Sequence, residues 1–406
     1  MAAASALSFS TVSRRTVGWL LGAVAVAAFA VALAAPNATA PSSAQEASAC
    51  DPARAHEAGD FDQTLESAGV TREYLLHVPP AYDGSAPTPL VLLFHGAGGS
   101  AHGIADYTGI RETADEAGFI AVMPLGTESA IIGSRTFNFL TFIPDLPDDV
   151  AFVDQLLDTL EAELCVDHDR VYSAGLSNGA MISVRLACSL QERIAAVALV
   201  AGAYYPPFSP DLLAEPGCDP TRPVPVVAFH GTADDAIPFE GGQIEGFPVA
   251  TRHIEDEVVP DWAEHNGCSE APTEEPVTEH VRLVSYGGCK LGADVRLYVI
   301  EGGAHLWPGG EESFFPQPDV SDEISANELL WEFLSAHPFA AFQEEPAPTA
   351  TDEPEPTAVA QPTALPRAGA GGAVGGAGDP LWLVAAIAGG LVALGGAWFV
   401  RRSARR

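Results

Sequence analysis

The chain has 406 residues, of which 54 are acidic and 19 basic, giving a formal net charge of −35. A single lysine, Lys290, stands among the basic residues, so no basic patch is available to neutralise phosphates, which argues against nucleic acid as a partner. An acidic surface of this kind favours a soluble monomer and repels polyanions. The six cysteines (Cys50, Cys165, Cys188, Cys218, Cys268 and Cys289) contain no CxxC pair of the zinc or thioredoxin type, and no cofactor is expected.

Residues 1–40 read as a signal peptide: a polar stretch ends in Arg14 and Arg15, an apolar run follows from Val17 to Ala35, and small residues suit cleavage near Ala34 or Ala40. The paired arginines leave general and twin-arginine export both open. With export, disulfides are the better reading of the cysteines. Residues 50–343 are expected to form one catalytic domain.

Within it, the alternation of Tyr74, Leu76 and Val78 predicts a half-buried antiparallel strand over 72–79. Leu90 to Phe94, LVLLF, is a continuous apolar run, as in a central parallel strand covered on both faces. It leads into His95-Gly96-Ala97-Gly98-Gly99-Ser100. This loop lacks the Walker lysine and the GxGxxG spacing, and suits an oxyanion hole built from the N–H groups of Ala97 and Asn178. His95 reads as a loop anchor. A helix is predicted over 102–117, a strand over 119–123 and an amphipathic helix over 150–164. The intervening 126–149 segment, with Phe137, Asn138, Phe139 and Phe142, is a candidate substrate wall whose aromatics could equally pack it down.

Arg170 to Met181, RVYSAGLSNGAM, is a strand running into Gly175-Leu176-Ser177-Asn178-Gly179 and then into a helix. That is the G-x-S-x-G nucleophile elbow in its strand-turn-helix context. Further strands are predicted at 194–201, 226–229, 281–286 and 294–300, with helices at 254–265 and 324–336. Strands alternating with helices indicate an α/β fold with a mostly parallel sheet and helices on both faces. Asp234 follows the strand ending at Phe229, and His305 lies in a glycine-rich loop after the last strand. Ser177, Asp234 and His305 thus occur in the order used by α/β-hydrolases, each at a strand's C-terminal end. Asp235 competes with Asp234 but sits farther from the strand. His230 and His95, in His-Gly turns, are better read as structural.

Beyond the domain, 344–380 is a Pro/Ala/Gly-rich spacer, 381–400 an apolar run long enough to span a membrane, and 401–406 a basic cytoplasmic tail. Leu365-Pro366-Arg367-Ala368-Gly369 is similar to a sortase sorting signal, with alanine in place of threonine. Either reading anchors the domain at the cell surface, extracellularly, through the membrane or the cell wall.

The motifs YLLHVP, LLFHGAGGSA, DDVAFV, CVDHDRVYSAGLSNGAM, PVVAFHGTADDAIPFEGG and EGGAHLWPGG, with Cys268 and Cys289, resemble secreted esterases of the polyhydroxybutyrate depolymerase and feruloyl esterase type in carbohydrate esterase family one. The resemblance spans roughly 70–335. It implies an α/β-hydrolase fold, a Ser177–Asp234–His305 triad, no metal, and ester substrates from plant cell wall or polyester, polymeric or oligomeric. Ala97 stands where many relatives carry cysteine, which leaves a backbone donor unchanged. Trp307, Phe137 and Asn138 are candidates to contact a ferulate ring or a sugar, and the aromatics among them could equally be core. Cys268 is expected to pair with Cys289, and Cys188 with Cys218. Two other readings are a serine peptidase of the prolyl oligopeptidase kind, for whose propeller the chain has no room, and a catalytically silent surface-displayed binding protein, against which the intact triad argues.

Overall fold

The computed structural model describes residues 50–140, 144–202, 220–244, 250–311 and 322–339. The elements in chain order are β1 (Gly59–Ser67), β2 (Val70–Val78), β3 (Thr88–Phe94), α1 (Ala101–Thr108), α2 (Ile110–Ala117), β4 (Ile120–Pro124), β5 (Thr127–Ser129) and β6 (Ser134–Thr136). They continue with α3 (Asp149–Glu163), β7 (Val166–Leu176), α4 (Asn178–Ser189), β8 (Ala196–Val200), β9 (Val226–Gly231), β10 (Gly242–Gln243) and β11 (Ala250–Thr251). A π-turn, Ile254–Val258, leads into α5 (Val259–His265), followed by β12 (Thr273–Pro276), β13 (Val281–Tyr286), β14 (Val295–Ile300) and α6 (Ala326–Ser335).

One ten-stranded sheet runs in the order β1-β2-β4-β3-β7-β8-β9-β14-β13-β12. Its centre, β4 to β14, is parallel, and antiparallel strands flank it on both sides. This is the expected α/β-hydrolase architecture. The central strands are apolar on both faces because both are covered. Leu90, Leu92 and Phe94 of β3 pack toward α3, α4 and α5. Val91 and Leu93 pack toward α1, α2 and α6. Side chains that alternate along a strand thereby divide between two cores.

The sequence predicted one helix over 102–117, but the structure has two. Gly109 takes φ 66°, and its N–H closes α1 on Ala105 O. A left-handed glycine is a helix stop, and here the apolar periodicity simply resumes after it. Ser100, Asp148 and Ser325 cap α1, α3 and α6 by accepting from Gly103 N, Ala151 N and Glu328 N.

A buried ion pair locks the 126–149 connection to the sheet. Arg72 on β2 donates to Asp149 Oδ1 at 2.5 Å and lies 4.0 Å over the Phe152 ring. Asp149 Oδ2 accepts from Asn138 N at 2.6 Å, and Arg72 also reaches Leu125 O.

Cys268 pairs with Cys289 as expected, and Cys50 with Cys165, joining positions 115 apart. Cys188 is disulfide-bonded, and its expected partner Cys218 lies outside the described residues. The expected signal peptide, spacer, membrane span and basic tail lie outside them as well. Among the described residues no helix is long and apolar enough to cross a membrane.

Replacing Asp149 with Ala leaves Arg72 charged and buried, and is expected to cost about 3–5 kcal/mol in chemical denaturation. The double variant Arg72→Leu/Asp149→Leu should lose less than the single one, because no charge is left unpaired.

Candidate active site

The turn between β7 and α4 leaves no room for side chains on either side of Ser177. A Cβ on Gly175 would sit 2.3 Å from the Gly179 carbonyl, and one on Gly179 would sit 2.1 Å from Phe94 O. Ser177 itself has φ 58° and ψ −117°, strain that a non-glycine residue tolerates only when its surroundings impose it. Its N–H is held by Val200 O at 2.9 Å, and its carbonyl accepts from Ala180 and Met181 at the start of α4. The hydroxyl is thereby presented at the positive end of that helix.

The loop after β3 passes directly beside it. A Cβ on Gly96 would meet Ser177 Cβ at 3.3 Å. The N–H groups of Ala97 and Asn178 donate to no other group among the described residues, as an oxyanion hole requires. The Asn178 side chain is buried and occupied elsewhere, accepting from Phe137 N at 2.8 Å and donating to Phe137 O at 3.2 Å.

His95 pins this loop, as its sequence context suggested. Its Nε2 accepts from Gly126 N at 3.0 Å, and its Nδ1 lies 2.7 Å from Gly96 O, a pattern that fits only the neutral ring with its proton on Nδ1. Burial pushes its pKa from 6.5 down to about 4; the nearby charge of Arg135 adds to the fall, and the bond to Gly96 opposes it.

Asp234 and His305 meet at the ends of β9 and β14, which pair in parallel with Gly231 opposite Ile300. His305 Nδ1 donates to Asp234 Oδ2 at 2.8 Å. Oδ1 of the same carboxylate accepts from Ala236 N at 2.9 Å and Ile237 N at 2.8 Å. Burial alone would raise the Asp234 pKa. Contacts from His230 and His305 outweigh it and hold the carboxyl well below the ordinary range. Asp235 is exposed, as expected of the competing acid.

Ser177 and His305 open onto one cleft of about 690 Å³. No hydrogen bond joins Ser177 Oγ to His305 among the described residues. The arrangement supplies a strained hydroxyl, an imidazole oriented by an ionised carboxylate and two free N–H donors, the parts that acyl transfer needs.

The comparisons with known proteins agree with this geometry. The phospholipase/carboxylesterase family matches residues 81–245. A putative esterase, NocK, of Nocardia uniformis subsp. tsuyamanensis is 31% identical over 272 residues, covering 61% of this chain and 74% of that protein. Feruloyl esterase D of Neurospora crassa is 28% identical over 290 residues, covering 67% of this chain and 84% of that protein. The chain belongs to the α/β-hydrolases of feruloyl esterase type. This esterase is a serine hydrolase of carboxylic ester bonds. Feruloyl esterase B of Piromyces equi is 28% identical over 247 residues, and the chain spans 44% of its length. Among solved structures, an acetyl xylan esterase from Aspergillus awamori has a TM-score of 0.44 at 16% identity, covering 61% of this chain and 95% of that one.

Three expected substrate contacts are corrected. Trp307 is fully buried, its Nε1 donating to Asn327 Oδ1 and its backbone N–H to Tyr107 Oη, so it anchors the His305 loop from within the core. Phe137 is fully buried too, against Phe94 and His95. Asn138 is buried and donates to Leu146 O and Pro147 O, bracing its own segment. From the 126–149 segment it is Glu128, Ser134 and Arg135 of the β5–β6 hairpin that line the cleft. Those residues and Tyr107 were not singled out from the sequence. Two three-residue strands carry too little alternation to be read, although Gly133 between them is a turn signal.

His95 also gives the esterase a pH dependence. Its pKa is lower in the folded state, so the unfolded chain binds the proton first. The stability contributed is complete above about pH 6.5 and is lost as pH falls toward 4, in all on the order of 3 kcal/mol. Denaturant unfolding followed from pH 7 to 4 should show this decline, and His95→Gln should flatten it.

Proposed function

We propose that Ser177, His305 and Asp234 form the catalytic triad of an extracellular, surface-anchored esterase that removes feruloyl or acetyl groups from plant cell-wall polysaccharide through an acyl-enzyme. The observation that carries this reading is the His305 Nδ1 to Asp234 Oδ2 bond, made on the rim of the cleft that also holds the strained Ser177.

In the first half-reaction Ser177 Oγ attacks the ester carbonyl carbon while its proton passes to His305 Nε2. The carbonyl oxygen becomes an oxyanion that takes hydrogen bonds from the N–H groups of Ala97 and Asn178. When the tetrahedral adduct collapses, the C–O bond to the alcohol breaks and His305 returns its proton to the leaving oxygen. Water then repeats the sequence on the acyl-enzyme, giving its proton to His305 and releasing the free acid and Ser177. Asp234 keeps the imidazole in the tautomer with hydrogen on Nδ1 and stabilises the imidazolium without taking the proton itself.

The names of the related feruloyl esterases support the acyl group, and the cleft supports its size. Its volume lies within the range that holds a small aromatic acid, and Ile104, Tyr107 and Leu176 give it an apolar lining. The disulfides support an oxidising compartment. With one lysine and a net charge of −35, a monomer without a nucleic-acid partner is the expected form.

Hydrolysis of p-nitrophenyl acetate, methyl ferulate, acetylated xylan and a 3-hydroxybutyrate oligomer tests the proposal and ranks the substrate classes. Ser177→Ala and His305→Ala should each lower kcat by ~10⁴-fold or more, and Asp234→Asn by a similar order. A serine-directed fluorophosphonate should label the protein but not Ser177→Ala. Failure of the wild type on all four esters, with no labelling, would overturn the esterase reading.

A further inference from the structure

The esters above differ in shape, but the cleft also carries a charge that can sort them. Arg135 on β6 lines it together with Ser177 and His305. Because His95 is neutral, Arg135 provides the permanent positive charge among the described residues that line the cleft. It does so in a chain whose carboxylates far outnumber its cations.

The partners of this guanidinium are incomplete. Its Nε is buried and has no hydrogen-bond partner among the described residues. Among the described residues its ion pair is a single contact, 3.2 Å from Nη2 to Glu128 Oε1, across the hairpin where the two residues stand directly opposite. Glu128 is 69% exposed, and a one-point pair of that exposure is held loosely. The root of the side chain, by contrast, is fixed. The Arg135 carbonyl accepts from Gly98 N at 2.7 Å, which ties the hairpin to the loop bearing Ala97. The backbone that carries this planar fork of donors is therefore tied to the loop bearing Ala97, and the fork itself is paired with a carboxylate that another carboxylate can replace.

We infer that Arg135 forms an anion subsite of the cleft, and that the preferred substrates are esters carrying a carboxylate a few bonds from the scissile carbonyl. The inference rests on the esterase reading and deepens it. Such a carboxylate can come from the acyl side, as in the half-ester of a dicarboxylic acid, or from the alcohol side, as in an acylated uronic acid unit.

Two matched pairs of substrates separate the sources. For the acyl side, p-nitrophenyl hemisuccinate is compared with p-nitrophenyl butyrate; for the alcohol side, acetylated methyl glucuronoside is compared with acetylated methyl glucoside. With the full chain, kcat/KM should favour the charged member of at least one pair by about tenfold. Arg135→Gln should bring that ratio to about one, chiefly through KM, and Arg135→Lys should restore part of it. Glu128→Gln, which removes the competing carboxylate, should raise the ratio. Salt at about 0.5 M should lower it. A ratio is insensitive to general damage, which would slow both members together. A ratio near one in both pairs for the wild type, or an unchanged ratio in Arg135→Gln, overturns the subsite. Equilibrium binding of monoethyl succinate to Ser177→Ala needs no turnover, and adding Arg135→Gln should weaken it about tenfold. That arm decides the subsite even if no ester is hydrolysed, so its failure and that of the esterase reading are distinguishable.

Discussion

The contact on which the rest of this structure depends is the approach of Gly179 to the end of β3. At 2.1 Å from the Phe94 carbonyl, the position of a Cβ on Gly179 is already occupied. Because nothing projects there, α4 can stand directly on the end of β7 and against the next strand. That single approach brings the first N–H of α4, on Asn178, to the same corner as the loop that leaves β3 through Gly96 and Ala97. The strain at Ser177 and the placing of the Asn178 N–H beside that loop follow from one helix lying this close to one strand end, and His95 then anchors the loop through Gly126 N.

The electrostatics of the site follow a similar economy. Asp234 is buried, and burial is the largest single influence on its carboxyl, yet the group is held ionised. Two backbone N–H groups occupy Oδ1, while Oδ2 lies 2.8 Å from His305 Nδ1 and 3.3 Å from His230 Nε2. His230 is the histidine that the sequence offers as a rival base. In the folded protein it is fully enclosed, with Nε2 also 2.9 Å from Ile237 O, and has no route to a substrate. What it supplies is a second contact to the acid. His95, the other rival, is held neutral by burial and by the N–H of Gly126. Three histidines in similar Gly-containing turns thus take three different roles, according to which partner each meets.

Much of this was legible in the sequence because it rests on local rules. LVLLF reads as a covered strand since both its faces are apolar, and the glycines around Ser177 encode the elbow through the space they leave empty. The order Ser177, Asp234, His305 marks three strand ends. What was not legible depends on contacts distant in sequence. Trp307 beside His305 looks like a substrate platform, but Tyr107 and Asn327, about 200 and 20 positions away, draw it into the core. Phe137 is taken the same way by Phe94 and His95. Arg135 attracts no notice as one basic residue in a polar stretch, and only the pairing of β5 with β6 and the bond from Gly98 bring it to the cleft. The break at Gly109 was missed because the apolar periodicity on either side of it stays in phase.

The placement of the three proposed catalytic residues on the sheet has a mechanical consequence. Asp234 and His305 follow adjacent strands, and Thr232 N to Ile300 O and Ala233 N to Gly303 O extend the ladder between β9 and β14 almost to the carboxylate itself. Ser177 directly follows β7, which is separated from β9 by β8. A change in sheet twist or coiling therefore leaves the acid and base moving as one rigid body while it alters their separation from the hydroxyl. The compliant coordinate of the site is the approach of Ser177 to His305, and the stiff one is the hold of Asp234 on His305. A ligand that wedges the cleft open or draws it shut acts on nucleophile activation and leaves the tautomer of the base untouched.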